Sequence, residues 1–420
     1  MHNTLFYIIL AIVLFDFVLE RILSFLNARN IETTLPEEVS DVYDEEKYRK
    51  AQAYKKANER FSQLTSTFSL ILILLMLFLE GFAFVDSLAR QVADSPVVIA
   101  LVFFGILMFA SDLLSTPFSV YDTFVIEEKF GFNKTTPKTF VLDKLKGWLL
   151  GAIIGGGLLA LIVWFYQLTG QYFWVYAWIL ATVFMVFMSM FYSTLIVPLF
   201  NKQTPLGEGP LREKIEKFSK EAGFKLENIY VIDGSKRSSK ANAYFSGLGA
   251  KKRIVLFDTL INDLTDDEIV AVLAHEIGHF KKKHTLSSIL LSIIQTGITL
   301  FILSLFIDNP ALSRALGAEQ PSFHLGLVAF GILYSPISTI IGLFMNMLSR
   351  KNEYQADEFA TRYNYGEELI MSLKKLSRNN LSNLTPHPLY VFFHYSHPPL
   401  IKRLRHIRKA SGSTDGSVTL

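Results

Sequence analysis

The chain has 420 residues, half of them hydrophobic and only 19% charged; phenylalanine alone contributes 36, and the mean hydropathy is +0.32. A water-soluble protein of this length has no use for so much apolar surface, whereas a bilayer does, so the composition excludes an ordinary soluble globule. The net charge of +3 calls for no nucleic-acid partner, and the lack of cysteine excludes disulfides, thiol catalysis and cysteine-held metal, leaving His, Asp and Glu as metal ligands.

Seven stretches are long and apolar enough to span a membrane: Thr4–Leu26, Phe61–Val85, Val97–Leu114, Leu149–Tyr166, Trp174–Phe200, Ser287–Ile307 and Leu325–Leu348. The first lacks the basic start and small-residue cleavage site of a secretory signal and carries Asp16, Glu20 and Arg21, so it is expected as a retained helix. The fourth contains Gly155-Gly156-Gly157, which either interrupts the span or lets another helix approach closely. Asp16, Glu20, Glu80 and Asp112 fall within or beside these spans. A charge at the bilayer centre costs roughly 2.5–3.5 kcal/mol, so such residues face protein or water. That fits a ring of helices around a hydrated cavity, and it fits a transporter equally.

Basic residues alternate loop by loop. Seven lie between Arg29 and Arg60, one (Arg90) precedes the third span, five lie between Lys129 and Lys146, and none separates the fourth and fifth spans. The segments after Phe200 and after Arg350 are both basic. The positive-inside rule therefore places the N-terminus outside and the C-terminus in the cytoplasm. Residues 1–201 form an N-terminal membrane domain of five spans, and residues 202–420 a second domain that includes spans six and seven, at about 287–348. Within it, Ile229–Ile232 and Arg253–Phe257 read as short β-strands, with Ala241–Phe245 as a further extended segment. Asn242-Ala243-Tyr244-Phe245 reads either as a buried strand or as one that meets a ligand. The tail from Ser411 to Leu420 is expected to be disordered and carries no retrieval signal.

His275-Glu276-Ile277-Gly278-His279 is the chemical centre of the sequence. Residues four apart share one helix face, so His275 and His279 can hold one metal ion, and Glu276 stands beside the position of a metal-bound water. Zinc lowers the pKa of such a water to about 7, and a neighbouring carboxylate can accept its proton. A third ligand is required. A histidine six residues after His279 is missing, because that position is Thr285, and His284 falls out of register. Glu353 is the better candidate: His279 precedes the sixth span and Glu353 follows the seventh, so the hairpin returns both to one membrane face. Asp357, one turn beyond Glu353, can accept a hydrogen bond from the outer nitrogen of a ligand histidine. Farther on, Pro398 and Pro399 hold the chain extended before a helix. From the residues alone, His397 could cap that helix and Arg403 could meet lipid phosphates.

Several motifs in one order resemble the integral-membrane CAAX prenyl endopeptidases, the type I, a-factor-converting zinc metalloproteases. They are Pro117-Phe118-Ser119-Val120-Tyr121-Asp122-Thr123-Phe124-Val125-Ile126-Glu127-Glu128 with Gly131-Phe132-Asn133-Lys134, then Pro198-Leu199-Phe200-Asn201-Lys202, then Ser238-Ser239-Lys240-Ala241-Asn242-Ala243-Tyr244-Phe245. The zinc helix, the Glu353/Asp357 turn and His397-Pro398-Pro399 follow. The resemblance implies one zinc ion on His275, His279 and Glu353, with Glu276 as catalytic base. It also implies an edge strand at Asn242–Phe245 that pairs with the substrate backbone, and His397 and Arg403 over the cleft, steadying the oxyanion or gripping the peptide.

The expected fold is mainly α: a seven-span bundle around a hydrated cavity with a cytoplasmic, gluzincin-like protease lobe containing a small sheet. The implied reaction is peptide-bond hydrolysis in a C-terminal CAAX tail, with a peptide or protein, prenylated in the family, as partner alongside membrane lipid. The missing retrieval signal and cysteine-free chain suit a bacterial inner membrane, with the endoplasmic reticulum as the alternative. Two rival readings fit the same sequence features: a membrane-protein quality-control protease of the heat-shock type, and a zinc-sensing or zinc-transporting membrane protein.

Overall fold

The computed structural model describes residues 3–30, 34–224, 229–246 and 253–412; the side chain of Phe245 lies outside the described part, as does the expected disordered tail from residue 413 onward. Helix dominates because an apolar run in lipid must pair every backbone N–H and C=O within its own segment. Helix α1 (Thr4–Arg29) starts at Asn3, whose side chain accepts from the Phe6 N–H. Helix α2 (Glu45–Phe78) is capped by Asp44, with Glu45 and Glu46 in its first turn. After α3 (Gly81–Val92), α4 (Pro96–Tyr121) runs on through a π-helical turn at Asp122–Glu127 to Phe130, and Gly131, at φ +86°, ends it.

Helix α5 (Pro137–Leu150), a second π-helical turn at Gly151–Gly155 and α6 (Gly156–Thr169) follow one another, and the chain folds back at Gly170 into α7 (Phe173–Leu195). The glycine triplet therefore leaves the helical run intact. Among the described residues, five helical runs are long and apolar enough to cross a membrane: Glu45–Phe78, Pro96–Phe130, Pro137–Phe200, His284–Phe306 and Phe323–Arg362. Their apolar side chains point outward, with Leu168 63% and Val183 62% exposed. Such an outside suits lipid and not water.

The remaining lobe is built on β1 (Gln203–Pro205), α8 (Pro210–Glu221), β2 (Ile229–Ile232), β3 (Ala243–Ser246) and β4 (Arg253–Phe257). The strand order is β1-β2-β4-β3, with β2 and β4 parallel and the outer pairs antiparallel. β3 thus lies at an edge. Ile229, Ile254 and Leu256 from one face join Ile269, Val270 and Ile277 in a single core under α9 (Asp266–Lys281). Helix α9 opens on a reciprocal capping box between Thr265 and Glu268. Lys283, in the left-handed region at φ +60°, turns the chain into α10 (His284–Phe306). Helix α11 (Phe323–Arg362) has 40 residues. At about 1.5 Å per residue it is roughly 60 Å long, twice a bilayer's hydrocarbon thickness, so one rod runs from the apolar bundle into the lobe. Helices α12 (Gly366–Asn379) and α13 (Leu400–Ala410) pack over α9 and α11.

Candidate active site

The site depends on how closely α9 approaches α11. A methyl group at Gly278 would stand 3.0 Å from Phe359 Cβ and 3.1 Å from Ala356 Cα. Glycine at this position therefore lets the two helices touch nearly backbone to backbone. Contact at that range brings the His275 and His279 face of α9 onto Glu353 of α11. The Nε2 atoms of the histidines are 3.2 Å apart, and Glu353 lies 3.5 Å from His275 Nε2 and 3.2 Å from His279 Nε2. One donor atom from each of the three falls within 4.8 Å of the others, a group able to hold a metal ion.

The outer nitrogens are also fixed. His275 Nδ1 lies 2.9 Å from Asp357 Oδ1, so that N–H donates to the carboxylate and leaves Nε2 with its lone pair facing Glu353. His279 Nδ1 meets His284 Nδ1 at 3.1 Å, and His284 Nε2 meets Gln355 Oε1 at 2.9 Å. Gln355 Oε1 can only accept, so His284 donates through Nε2 and accepts at Nδ1 from His279; the His279 Nε2 lone pair is thereby presented too. Burial holds His284 below the ordinary imidazole range, in keeping with this neutral role. His284 is therefore no stray out-of-register histidine but the partner of His279.

Charge explains what the group is built to hold. Burial opposes the charged form of His275, yet hydrogen bonds to Asp357 and Glu353 outweigh it and push the imidazole up to about 9, so a cation bound at Nε2 takes the place of the proton that otherwise sits between Nε2 and Glu353. Burial likewise opposes ionisation of Glu353, but the bonds to His275 and His279, then the charges of His275 and Arg403, hold its carboxyl far below the usual range. Glu353 Oε2 is buried with no hydrogen-bond partner among the described residues. A buried carboxylate with an orphaned oxygen beside two lone pairs fits a divalent cation, and the His/His/Glu donor set fits zinc.

Arg403 lines the cleft, as the resemblance implied, but its partners are ones the sequence did not foretell. Its guanidinium is buried, donating from Nε to Asp357 Oδ2 at 2.9 Å and from Nη2 to Oδ1 at 2.5 Å, with Nη1 3.5 Å from Glu353 Oε2. Asp357 is fully buried, and the charge of Arg403 helps to keep its carboxyl below the usual range against the penalty of burial. With its fork closed on Asp357, Arg403 is not poised to grip a peptide in its resting position, although it does line the cleft. His397 differs: it is exposed, and its Nε2 lies 3.3 Å from Glu353 Oε1, at the mouth of the group.

A cavity of about 450 Å³ joins these residues to the sheet. Half-buried Glu276, His397 and the three metal-ligand candidates line one side; Asn242 and Ala243, at the start of edge strand β3, line the other. Tyr244 points away from the cleft, its hydroxyl 3.2 Å from Ser193 Oγ on α7, so its side chain secures the strand to the membrane helices. Directly before β3, Lys240 is tied to the N-terminal signature. Its Nζ donates to Glu127 at 2.8 Å and to the Tyr54 hydroxyl at 2.9 Å, and sits 4.4 Å from the Phe132 ring centre. Ser239 N–H bonds the Phe132 carbonyl at 3.0 Å, and Asn133 pairs with Ser238 as an isolated bridge. The sequence marked Glu127 and Lys240 only as parts of separate motifs; nothing in their spacing shows that they meet.

A cross-helix His/His/Glu group beside a free carboxylate, open to an edge strand and set under a bundle of apolar helices, defines a membrane metalloprotease. Residues 24–202 match the family described as CAAX prenyl protease N-terminal, five membrane helices, and residues 205–411 match Peptidase family M48. The chain is similar to the CAAX prenyl protease 1 homolog of Arabidopsis thaliana, 37% identical over 91% of this chain and 92% of that one. It is also similar to CAAX prenyl protease 1 of Saccharomyces cerevisiae, 35% identical over 89% and 88% of the two chains. The crystal structure of S. mikatae Ste24p superposes with a TM-score of 0.91 at 35% identity, covering 96% of this chain and 99% of that chain. The chain belongs to peptidase family M48, with the CAAX prenyl protease N-terminal domain, and is a zinc metalloendopeptidase of the CAAX protease type. The match across the N-terminal domain argues against the heat-shock reading, and a donor group in the lobe argues against transport, which places ligands near mid-membrane.

Proposed function

We propose that the chain cleaves C-terminal CAAX tails after the lipidated cysteine, using His275, His279 and Glu353 as the zinc ligands. With zinc bound, the site supplies a Lewis acid that polarises the scissile carbonyl and acidifies the attacking water. Glu276 accepts the proton of that water and passes it to the leaving amine. His397 donates to the oxyanion from the mouth of the cleft. Asp357 and Arg403 hold His275 in its productive tautomer, and His284 with Gln355 does the same for His279. The substrate lies extended along β3 at Asn242–Phe245, bonded through its backbone, which makes binding tolerant of sequence. The observation that carries the reading is the buried Glu353 carboxylate set against the Nε2 atoms of His275 and His279, its Oε2 without a hydrogen-bond partner among the described residues, in the cleft that Glu276 and β3 share.

The same reading gives seven crossings. The run Pro137–Phe200 folds back at Gly170 and supplies two, and α1, which Asp16, Glu20 and Arg21 keep from standing out by composition, supplies the seventh. Residues 1–201 form the membrane domain and 202–420 the peptidase domain, with α1 entering from outside and the cleft in the cytoplasm, at a bacterial inner membrane or, alternatively, that of the endoplasmic reticulum. The helices surround a hydrated cavity. A cleavage assay on purified protein tests the assignment, comparing a farnesylated CAAX peptide with its unprenylated twin. Release of the terminal tripeptide, faster from the farnesylated peptide, is expected. Cleavage elsewhere, or none from either peptide, would overturn it.

A further inference from the structure

Away from the metal cleft, where the sheet meets the ends of the membrane helices, a second cavity of about 530 Å³ opens. Pro198, Leu199 and Phe200, at the end of the third apolar run, form one side of it. The other side is the face of the sheet that carries Tyr230 and Arg253. Tyr230 pairs with Val255 across β2 and β4, and strand alternation puts Arg253 on that same face, opposite Ile254 and Leu256 in the core.

Four cations line this hollow: Lys146, Lys202, Lys236 and Arg253. Lys146 and Arg253 are half-buried. Lys146 Nζ donates to the Leu199 carbonyl at 2.6 Å and lies 5.6 Å from the Phe200 ring centre. Lys236 Nζ reaches the Phe200 carbonyl at 3.3 Å, and the Arg253 guanidinium stacks 4.8 Å above Tyr230. Their partners are carbonyls and rings; among the described residues none of the four has a carboxylate within 4.0 Å. Lys240 and Lys374, by contrast, are paired with the carboxylates of Glu127 and Asp41. One acid, Asp233, lines the cavity itself, and Asp143 lies within reach of the charges of Lys146 and Lys236; both are already engaged. Asp233 accepts from the Asn201 amide and the Lys202 N–H at 2.9 Å each, and Asp143 is held by the fork of Arg237 at 2.7 and 2.8 Å.

We propose that this cavity binds the phosphate-bearing headgroup of an anionic phospholipid. A topology signal requires only that basic residues lie in a loop. It does not require two of them half-buried and four converging on one hollow at the end of a span. Basic pockets between membrane helices at headgroup level take anionic headgroups, where each Lys or Arg adds attraction. Arg253, braced on Tyr230, presents its fork to phosphate oxygens, Lys146 supports them from the helix side, and Lys202 and Lys236 close over the outer edge. The level at which the cavity lies rests on the membrane reading above; its charge and shape do not.

The test uses zinc-loaded, full-length protein in neutral detergent, titrated with dioctanoyl phosphatidic acid, dioctanoyl phosphatidylcholine or inorganic phosphate. Melting temperature and native mass spectrometry are the readouts. One phosphatidic acid retained per chain, with a raised melting temperature and little effect of the other two, is expected. Lys146→Gln with Arg253→Gln should weaken retention by about tenfold or more at unchanged zinc content. Lys217→Gln with Lys220→Gln, exposed on α8 outside the cavity, should leave it unaltered. If the first pair fails to fold, Lys202→Gln with Lys236→Gln at the exposed edge should show a smaller loss in the same direction. Equal retention by wild type and cavity variants, or an equal response to phosphatidylcholine, overturns the proposal. An equal response to inorganic phosphate overturns its lipid half. Protein that binds phosphatidic acid but cleaves no CAAX peptide would sink the proposed function and leave this site standing.

Discussion

On the α9–α11 wall of the cleft, each candidate ligand is tied to others across helices: His275 to Asp357, Asp357 to Arg403, His279 to His284, and both histidines to Glu353. On the β3 wall, Asn242 is exposed, the strand pairs among the described residues with β4 alone, and its approach is moored through Lys240 to Glu127. The first wall is a buried, charge-dense network whose dipoles are already oriented, which is what chemistry at a developing charge needs. The second is the wall along which the proposed function lays an extended peptide. Damage to the first wall should therefore appear in metal content and kcat, and damage to the second in KM.

Glu276 is where that division should be sharpest. Glu276→Gln preserves shape but cannot take a proton, so turnover should fall by about 10²–10⁴-fold or more while metal analysis still finds zinc. Loss of zinc along with turnover would make Glu276 a structural residue. His397→Ala removes a donor that has no place among the three ligands. Steady-state kinetics on a fluorogenic peptide should show kcat and kcat/KM falling together, by roughly 100- to 1000-fold; an unchanged kcat would leave His397 as a residue that only starts α13.

Asp357→Asn probes the support behind the metal group, with an expected loss of about 10–100-fold in zinc affinity or activity. Asp357→Ala is the harsher change. It strands the buried Arg403 guanidinium, and breaking such a pair costs about 3–5 kcal/mol of stability, which a denaturant melt would register. A melt no different from wild type would mean that Arg403 finds another partner. The smallest effect belongs to the binding wall. Lys240→Met should raise KM by roughly two- to fivefold, the scale of a partly exposed ion pair, with kcat and zinc unaltered and with Lys240→Arg restoring part of the loss. A fall in kcat instead would erase the contrast between the two walls.

Local pattern made part of this legible. The i, i+4 spacing of His275 and His279, the same spacing of Glu353 and Asp357, and the apolar strands Ile229–Ile232 and Arg253–Phe257 are each contained within a few residues. What stayed hidden depends on contacts between distant segments. Arg403 meets Asp357 across 46 positions and Lys240 meets Glu127 across 113, and neither spacing carries a periodicity. His284 falls out of ligand register because the left-handed turn at Lys283 sets it on a new helix, and that turn swings its ring back to His279. β1, three residues long, has no alternation to read. The bundle was legible for a different reason: in lipid, hydropathy alone decides which segments become helices.

The central claim is that one metal site is assembled from two helices, with Glu353 supplied across the contact that Gly278 permits. Zinc stoichiometry of purified Glu353→Ala beside wild type, measured on folded protein of matching melting behaviour, tests it most directly. Wild type should hold about one zinc per chain, as a closed three-ligand site does, and Glu353→Ala should lose most of its zinc together with its turnover. Full zinc and full turnover in Glu353→Ala would contradict the account and send the search for the third ligand to His284 and Glu358.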